Sequence, residues 1–222
     1  MNASSHRPMS PAEQRARERL CEIGRSLYAR GLTAGSSGNL SVQLDDGWLF
    51  TPTNACLGEL DPARLSKVGF DGRLLCGDAP TKELPLHTAV YQRRGAARAI
   101  VHLHSHYAVA VSVLEGVDPR SVLPALTAYC VMKVGRVPLV PYFRPGDPRV
   151  ADAIRDLAGE HAAVLLANHG PVVSGDSIEA AAYAMEELEA TARLLLQLDG
   201  KRVRVLTEEQ IDELRREFGA RW

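Results

Sequence analysis

The chain has 222 residues, 45% of them hydrophobic and 24% charged, and 26 Lys plus Arg against 27 Asp plus Glu leave a formal net charge of −1. That describes one large globular domain with no basic excess to draw it to nucleic acid or an anionic membrane. No apolar run is long enough for a membrane helix, and the opening MNASSHRPMS lacks the basic and apolar parts of a signal peptide. Cys21, Cys56, Cys76 and Cys130 form no C-x-x-C, so a reduced, cytoplasmic protein without disulfides or a cysteine zinc site is expected.

Residues 1–9 read as a tail and residues 10–222 as the domain. Ser10-Pro11-Ala12-Glu13 is a capping box, and Leu20, Ile23 and Leu27 continue it as an apolar helical stripe that Gly31 stops. Leu40–Leu44 and Trp48–Thr51 flank Asp45-Asp46-Gly47 as a β-hairpin. A helix is predicted from near Thr81 to Arg94, then a strand over Ala99–His104. Val137–Val140, Ala163–Ala167 and Pro171–Val173 also read as extended. Asp147-Pro148 opens a helix closed by Gly159, Asp176 with Glu179 caps a long one to about Leu198, and Thr207 with Gln210 caps the last. Strands and helices alternate without strict βαβ regularity, which predicts a mixed central sheet layered with helices in a single α/β domain.

Three of the seven histidines fall within V-H-L-H-S-H-Y (101–107). Alternate residues of a strand share a face, so His102 and His104 project together, and His106 joins them if the strand lasts. Two imidazoles on one edge can share a metal ion; a solvated, polar strand end fits the same residues. Asn168-His169-Gly170 ends an apolar strand at a turn, where a sheet delivers a side chain to a cleft. His169 there can supply a third imidazole, and three neutral histidines leave zinc an open position for a substrate oxygen. His87 reads as packing or facing solvent, and His6 and His161 as peripheral. Glu83, after Lys82 at a helix start, serves either as an acid/base group or merely to favour the helix dipole. Thr33 to Asn39, T-A-G-S-S-G-N, offers hydroxyls, an amide and flexible backbone suited to a phosphate, with no Walker spacing.

The set T-A-G-S-S-G-N (33–39), T-P-T-N (51–54), P-T-K-E (80–83), H-L-H (102–104) and N-H-G (168–170), in that order over roughly residues 10–200, resembles the class II aldolase/adducin family. The resemblance implies a class II aldolase-like fold with Zn²⁺, or another divalent transition metal, held by His102, His104 and His169. Glu83 matches the family's acid/base glutamate, which can also ligate the metal in the empty site. Asn39, Thr53, Asn54, Thr81 and Lys82 fall on phosphate-pocket positions, to which Ser36 adds a hydroxyl. The family also implies a four-fold homotetramer. Tyr129, with Lys133, Arg136 and Arg144 in the proline-rich segment 124–148, is placed to reach a neighbour's cleft and the substrate.

Sugar-phosphate aldolases of the family tend to carry serines where this chain has Thr81-Lys82, and glycine where it has Asn54. S-S-G-N-L-S-V, D-G-W-L-F-T-P-T-N, Y-F-R-P-G-D-P and L-L-A-N-H-G-P-V-V-S-G are instead similar to the branch that decarboxylates 3-oxo-tetronate 4-phosphates. Loss of CO₂ from such a β-keto acid leaves an enediolate whose charge a metal can absorb, and protonation yields dihydroxyacetone phosphate. The alternatives are an aldolase, epimerase or dehydratase of the same fold, and a non-catalytic adducin-like module.

Overall fold

The computed structural model describes residues 9–222, so the expected tail of residues 1–9, with His6, lies outside the described residues except for Met9. Ser10 opens α1 (Pro11–Ala29) by accepting the Glu13 N–H at 3.1 Å, and the predicted stripe of Leu20, Ile23 and Leu27 is buried. The expected hairpin is β1 (Asn39–Leu44) and β2 (Gly47–Phe50), turning at Asp45-Asp46. Beyond these come β3 (Ser66–Val68), β4 (Leu74–Cys76), β5 (Ala99–His102), β6 (Leu139–Val140), β7 (Ala163–Leu166) and β8 (Gly170–Gly175). They join in one eight-stranded sheet of order β4-β3-β2-β1-β5-β8-β7-β6. Only β6 and β7 run parallel, so the sheet is mixed, as predicted.

The pleat sorts two cores. Leu49, Val101, Leu165 and Val173 pack with Leu20 and Leu27 of α1 and with Met185 and Leu188 of α5 (Ile178–Gln197). Phe50, Ile100, Val164 and Val172 point the other way, against Leu86 and Val90 of α2 (Leu84–Arg93) and Ile154 of α4 (Arg149–Ala158). His102 lies two residues after Ile100 and so belongs to the α2 face. The last helix, α6 (Glu208–Phe218), carries the predicted Thr207–Gln210 capping box. Among the described residues, no helix is long and apolar enough to cross a membrane.

Several boundaries differ from expectation. The helix predicted from Thr81 starts at Leu84, because the Thr81 N–H donates to Thr51 O at 3.2 Å and Pro80 bridges Pro52, which keeps this stretch extended. β6 covers only Leu139–Val140 of the predicted Val137–Val140. The N-cap of α5 is Ser177, whose hydroxyl accepts the Ala180 N–H at 3.1 Å, rather than Asp176. β5 stops at His102 instead of His104, since α3 (His106–Ser112) begins at once. β3, β4 and α3, of three, three and seven residues, are too short to show a period in sequence.

The start of α3 is tied from a distance. The Glu189 carboxylate on α5 accepts the N–H groups of Tyr107 and Ala108, both at 2.8 Å, neutralising two orphan donors of the first turn. Glu189→Ala is therefore expected to cost about 0.5–2 kcal/mol, the usual range for a lost cap. It should also speed amide exchange at Tyr107 and Ala108; unchanged protection there would show that the cap contributes nothing.

Candidate active site and metal centre

Backbone geometry brings the three histidines together. His102 ends β5; His104 follows on the link to α3; His169 stands in the β7–β8 turn, whose register pairs Leu166 with Gly170. Asn168 adopts φ 55°, a left-handed conformation that asparagine tolerates. A Cβ on Gly170 would collide with the Leu103 carbonyl, so only glycine lets this turn close onto the strand that carries the other two histidines. The N-H-G triplet thus has a physical reason at each position.

The His102 and His169 Nε2 atoms lie 3.4 Å apart, and the ring centroids of the three histidines are separated by 4.7 to 5.2 Å. One ligand atom from each of His102, His104 and His169 lies within 4.8 Å of the others. His102 donates from Nδ1 to Pro171 O at 2.8 Å, which aims the Nε2 lone pair into the cluster. His104 Nε2 is buried with no hydrogen-bond partner. An orphaned buried nitrogen costs about 1–3 kcal/mol, and a metal ion is the partner that this one lacks. The 3.4 Å spacing also suits a tetrahedral ion, for which metal–nitrogen bonds near 2 Å place two donors roughly 3.3–3.4 Å apart. The donor set fits a divalent metal.

Glu83 joins them. It caps α2 without bonding to the helix backbone, and its carboxylate turns to the histidines, Oε2 3.2 Å from His102 Nε2 and Oε1 3.4 Å from His169 Nε2. The helix-dipole role therefore yields to the cluster. Burial opposes the Glu83 charge, but His102 and the hydrogen bond from Asn39 outweigh it and hold the carboxyl below the usual range. Burial likewise opposes a proton on His102, yet the Glu83 carboxylate raises its pKa. Burial, then the charge on His102, push His104 and His169 down to about 4, leaving both neutral donors above that pH.

The other predicted residues divide. Lys82, exposed, borders a cavity with Glu83, Leu86, Phe143, Arg144 and His169. Thr81 is buried beside Glu83, and its hydroxyl accepts the Glu83 N–H at 3.2 Å. The Asn39 amide is engaged at both ends: Nδ2 donates to Glu83 at 2.7 Å, and Oδ1 lies 2.6 Å from His87 Nε2. Ser36 is exposed in the glycine-rich loop, whose Gly38 packs against the His102 carbonyl. Thr53 and Asn54 line a separate concavity with Arg64 and Asp78, although the Thr53 N–H donates to Ala79 O at 2.9 Å and so ties the two loops. Tyr129, 63% exposed, lines another with Arg94, Lys133, Arg136 and Tyr183, and within one chain it is not brought to the histidines. Arg144, expected in a segment that reaches a neighbour, borders the cavity that Glu83 and His169 line in its own chain.

Sequence reasoning missed three participants. Tyr142 and Phe143 flank a concavity of roughly 570 Å³ that His104, His169 and the exposed His106 also line. His87 proves to be fully buried and hydrogen-bonded to Asn39. Its position four residues after Glu83, one helical turn on, was the available signal.

A mixed sheet that delivers three histidines from strand ends and a glutamate from a helix start to one buried point defines an α/β fold with a centre that could hold a metal ion. The chain belongs to the class II aldolase and adducin N-terminal domain family, whose model matches residues 18–196. It is 52% identical over 204 residues, 91% of this chain and 96% of the relative, to the 3-oxo-tetronate 4-phosphate decarboxylase of Escherichia coli O6:H1. A Cupriavidus necator protein of the same name is 50% identical over 214 residues, covering 95% and 99% of the two chains. Among solved structures, YgbL from Escherichia coli superposes with a TM-score of 0.90 at 49% identity, over 92% of this chain and 99% of that one. An L-fuculose 1-phosphate aldolase reaches 0.85 at 26% identity, over 95% and 98%.

Proposed function

We propose that this chain, a single domain over residues 10–222, is a zinc-dependent carboxy-lyase that converts a 3-oxo-tetronate 4-phosphate to dihydroxyacetone phosphate and CO₂. One observation carries the reading: the convergence of Glu83 with His102, His104 and His169, in a chain about half identical to proteins of that name. His102, His104 and His169 would hold the ion, with the Glu83 carboxylate beside them. The bound ion supplies Lewis acidity for the negative charge that decarboxylation leaves on the oxo oxygen.

The chain's own residues do the rest. Lys82, Thr81 and Ser36, with Thr53 and Asn54 across the tied loops, take the phosphate and fix the distance to the oxo group. The bond between carboxyl carbon and C2 breaks, its electron pair moves into the C2–C3 bond and onto the oxo oxygen, and CO₂ leaves. Glu83, protonated from solvent, then delivers a proton to C2 and closes the balance. Its position against the metal ligands makes proton transfer and metal binding neighbouring events at one carboxylate. The protein acts as a homotetramer in the reducing cytoplasm, where its four cysteines remain the free thiols seen in the structure. Exposed Tyr129 reaches a neighbouring subunit's substrate there, and sedimentation of an active monomer would rule that out.

The test is coupled detection of CO₂ and dihydroxyacetone phosphate from a panel of 3-oxo-tetronate 4-phosphates. Lys82→Ala should mainly raise KM for the phosphorylated substrate, by about ten- to a hundredfold if it loses a charge-assisted phosphate contact. An unchanged KM would place Lys82 in solvent. Aldehyde release from fuculose or ribulose phosphates, with no CO₂ from the oxo acid, would establish the aldolase reading. An epimerase or dehydratase would leave the carboxylate on its product, and an adducin-like module would turn over none of them.

A further inference from the structure

Behind the metal centre, a line of buried polar groups runs from Glu83 into the fold. Asn39 Nδ2 donates to Glu83 Oε2 at 2.7 Å, and His87 Nε2 stands 2.6 Å from Asn39 Oδ1. His87 Nδ1 is 2.7 Å from Ser41 Oγ, which is 2.8 Å from the Tyr91 hydroxyl. Glu83, His87 and Tyr91 follow one another at i, i+4 along α2, while Asn39 and Ser41 share a face of β1 at i, i+2. The bonds therefore cross between helix and strand at every step, linking five side chains in a zigzag. His87 and Ser41 have no exposed surface, and Tyr91 has 7%. A hydrocarbon ring at position 87 would fill the same space without the cost of burying polar nitrogens, so packing does not account for a histidine there.

Hydrogen-bond chemistry sets one direction for the whole chain. An ionised carboxylate only accepts, so the Asn39 amide must present Nδ2 to Glu83. Its Oδ1 then needs a donor, which makes His87 Nε2 the protonated nitrogen. His87 Nδ1 is left bare and takes the Ser41 proton, and Ser41 Oγ accepts from Tyr91 in turn. Every donor points toward Glu83. Burial, then the charge on His102, push His87 down to about 3, in keeping with a neutral ring that carries one N–H.

We propose that His87 is a positioning residue: by donating to Asn39 Oδ1 it fixes the amide with Nδ2 toward Glu83, and so sets the Glu83 carboxylate at the metal centre. The proposal rests on the reading of Glu83 as the proton-transfer group. Without the His87 donor, the amide is free to turn its oxygen toward the carboxylate, whose oxygens would then repel it. Glu83 would leave its place between His102 and His169.

Zinc-loaded His87→Phe, His87→Gln and Ser41→Ala test this in two assays. One is turnover of the oxo acid; the other follows exchange of the carbon-bound protons of dihydroxyacetone phosphate in D₂O by NMR, which needs Glu83 but no decarboxylation. His87→Phe should lower both rates by about 10–100-fold, the usual cost of losing an outer-shell partner, with KM and zinc content little changed. His87→Gln should recover most of the loss, because its amide can donate to Asn39 and accept from Ser41. A folded, zinc-loaded His87→Phe exchanging at the wild-type rate would overturn the proposal, as would a glutamine variant no better than phenylalanine. If His87→Phe does not fold, Ser41→Ala decides: a loss of about two- to tenfold supports the chain, and an unchanged rate refutes it. Wild-type protein that exchanges protons without releasing CO₂ would remove the decarboxylase and leave the role of His87 standing. Exchange unimpaired in Glu83→Gln would remove the ground for both.

Discussion

His169→Ala will strip the centre of its metal and abolish turnover while leaving the fold intact. The side chain is 11% exposed in a turn whose shape is set by its neighbours, Asn168 in the left-handed region and Gly170 against Leu103. Little core packing is lost. What disappears is one of three nitrogens whose ligand atoms lie within 4.8 Å, and a three-nitrogen site reduced to two holds a divalent ion far more weakly. Turnover should fall by more than the roughly 10–100-fold typical of an outer-shell loss. Metal analysis after dialysis reads the first effect and the coupled CO₂ assay the second. His106→Ala is the control, since His106 borders the same concavity but lies outside the ligand set; it should keep its metal. A His169→Ala protein with full metal content would show that the third ligand lies elsewhere.

Glu83→Gln gives the second large effect. The amide has nearly the same shape, and the Thr81 hydroxyl that accepts the Glu83 N–H still holds the backbone, so α2 should start where it does now. The three histidines retain the metal, although the site loses a negative charge beside His102 and His169. Proton delivery is lost outright, because an amide has no titrating proton at working pH. General acid–base groups contribute about 10²–10⁴-fold, and turnover should fall within that range. Near-normal turnover would reduce Glu83 to a helix cap.

The contrast between these two positions shows where sequence reasoning reaches. His102 and His104 are two residues apart, and the expectation that they converge needed only the period of a strand. It survives although β5 ends at His102, because the Leu103 N–H still bonds to Pro171 O at 3.3 Å and carries His104 on in nearly the same direction. Glu83 was recognisable through the resemblance of P-T-K-E, but its local sequence pointed equally to a helix cap. Thr81 and Lys82 looked helical because nothing local reveals that Thr51 takes the Thr81 N–H.

By itself, the sequence determined the mixed α/β class, the stretches of the main helices with the Ser10 and Thr207 caps, the hairpin at Asp45-Asp46, and that His102 and His104 share an edge. Those properties are written in periods, caps and turn residues, which act over a few positions and need no distant partner. Tertiary structure alone decided that Asn39 serves Glu83, that His87 lies behind it, that Arg144 faces its own chain's site, and that Tyr129 is remote from the histidines within one chain. Each depends on which strand lies beside which helix. Asn39 and Glu83 are 44 residues apart, Asn39 and His87 48, and Ser41 and Tyr91 50, and a hydrogen bond over such a separation forms only when the packing of α2 on the sheet has already chosen both neighbours.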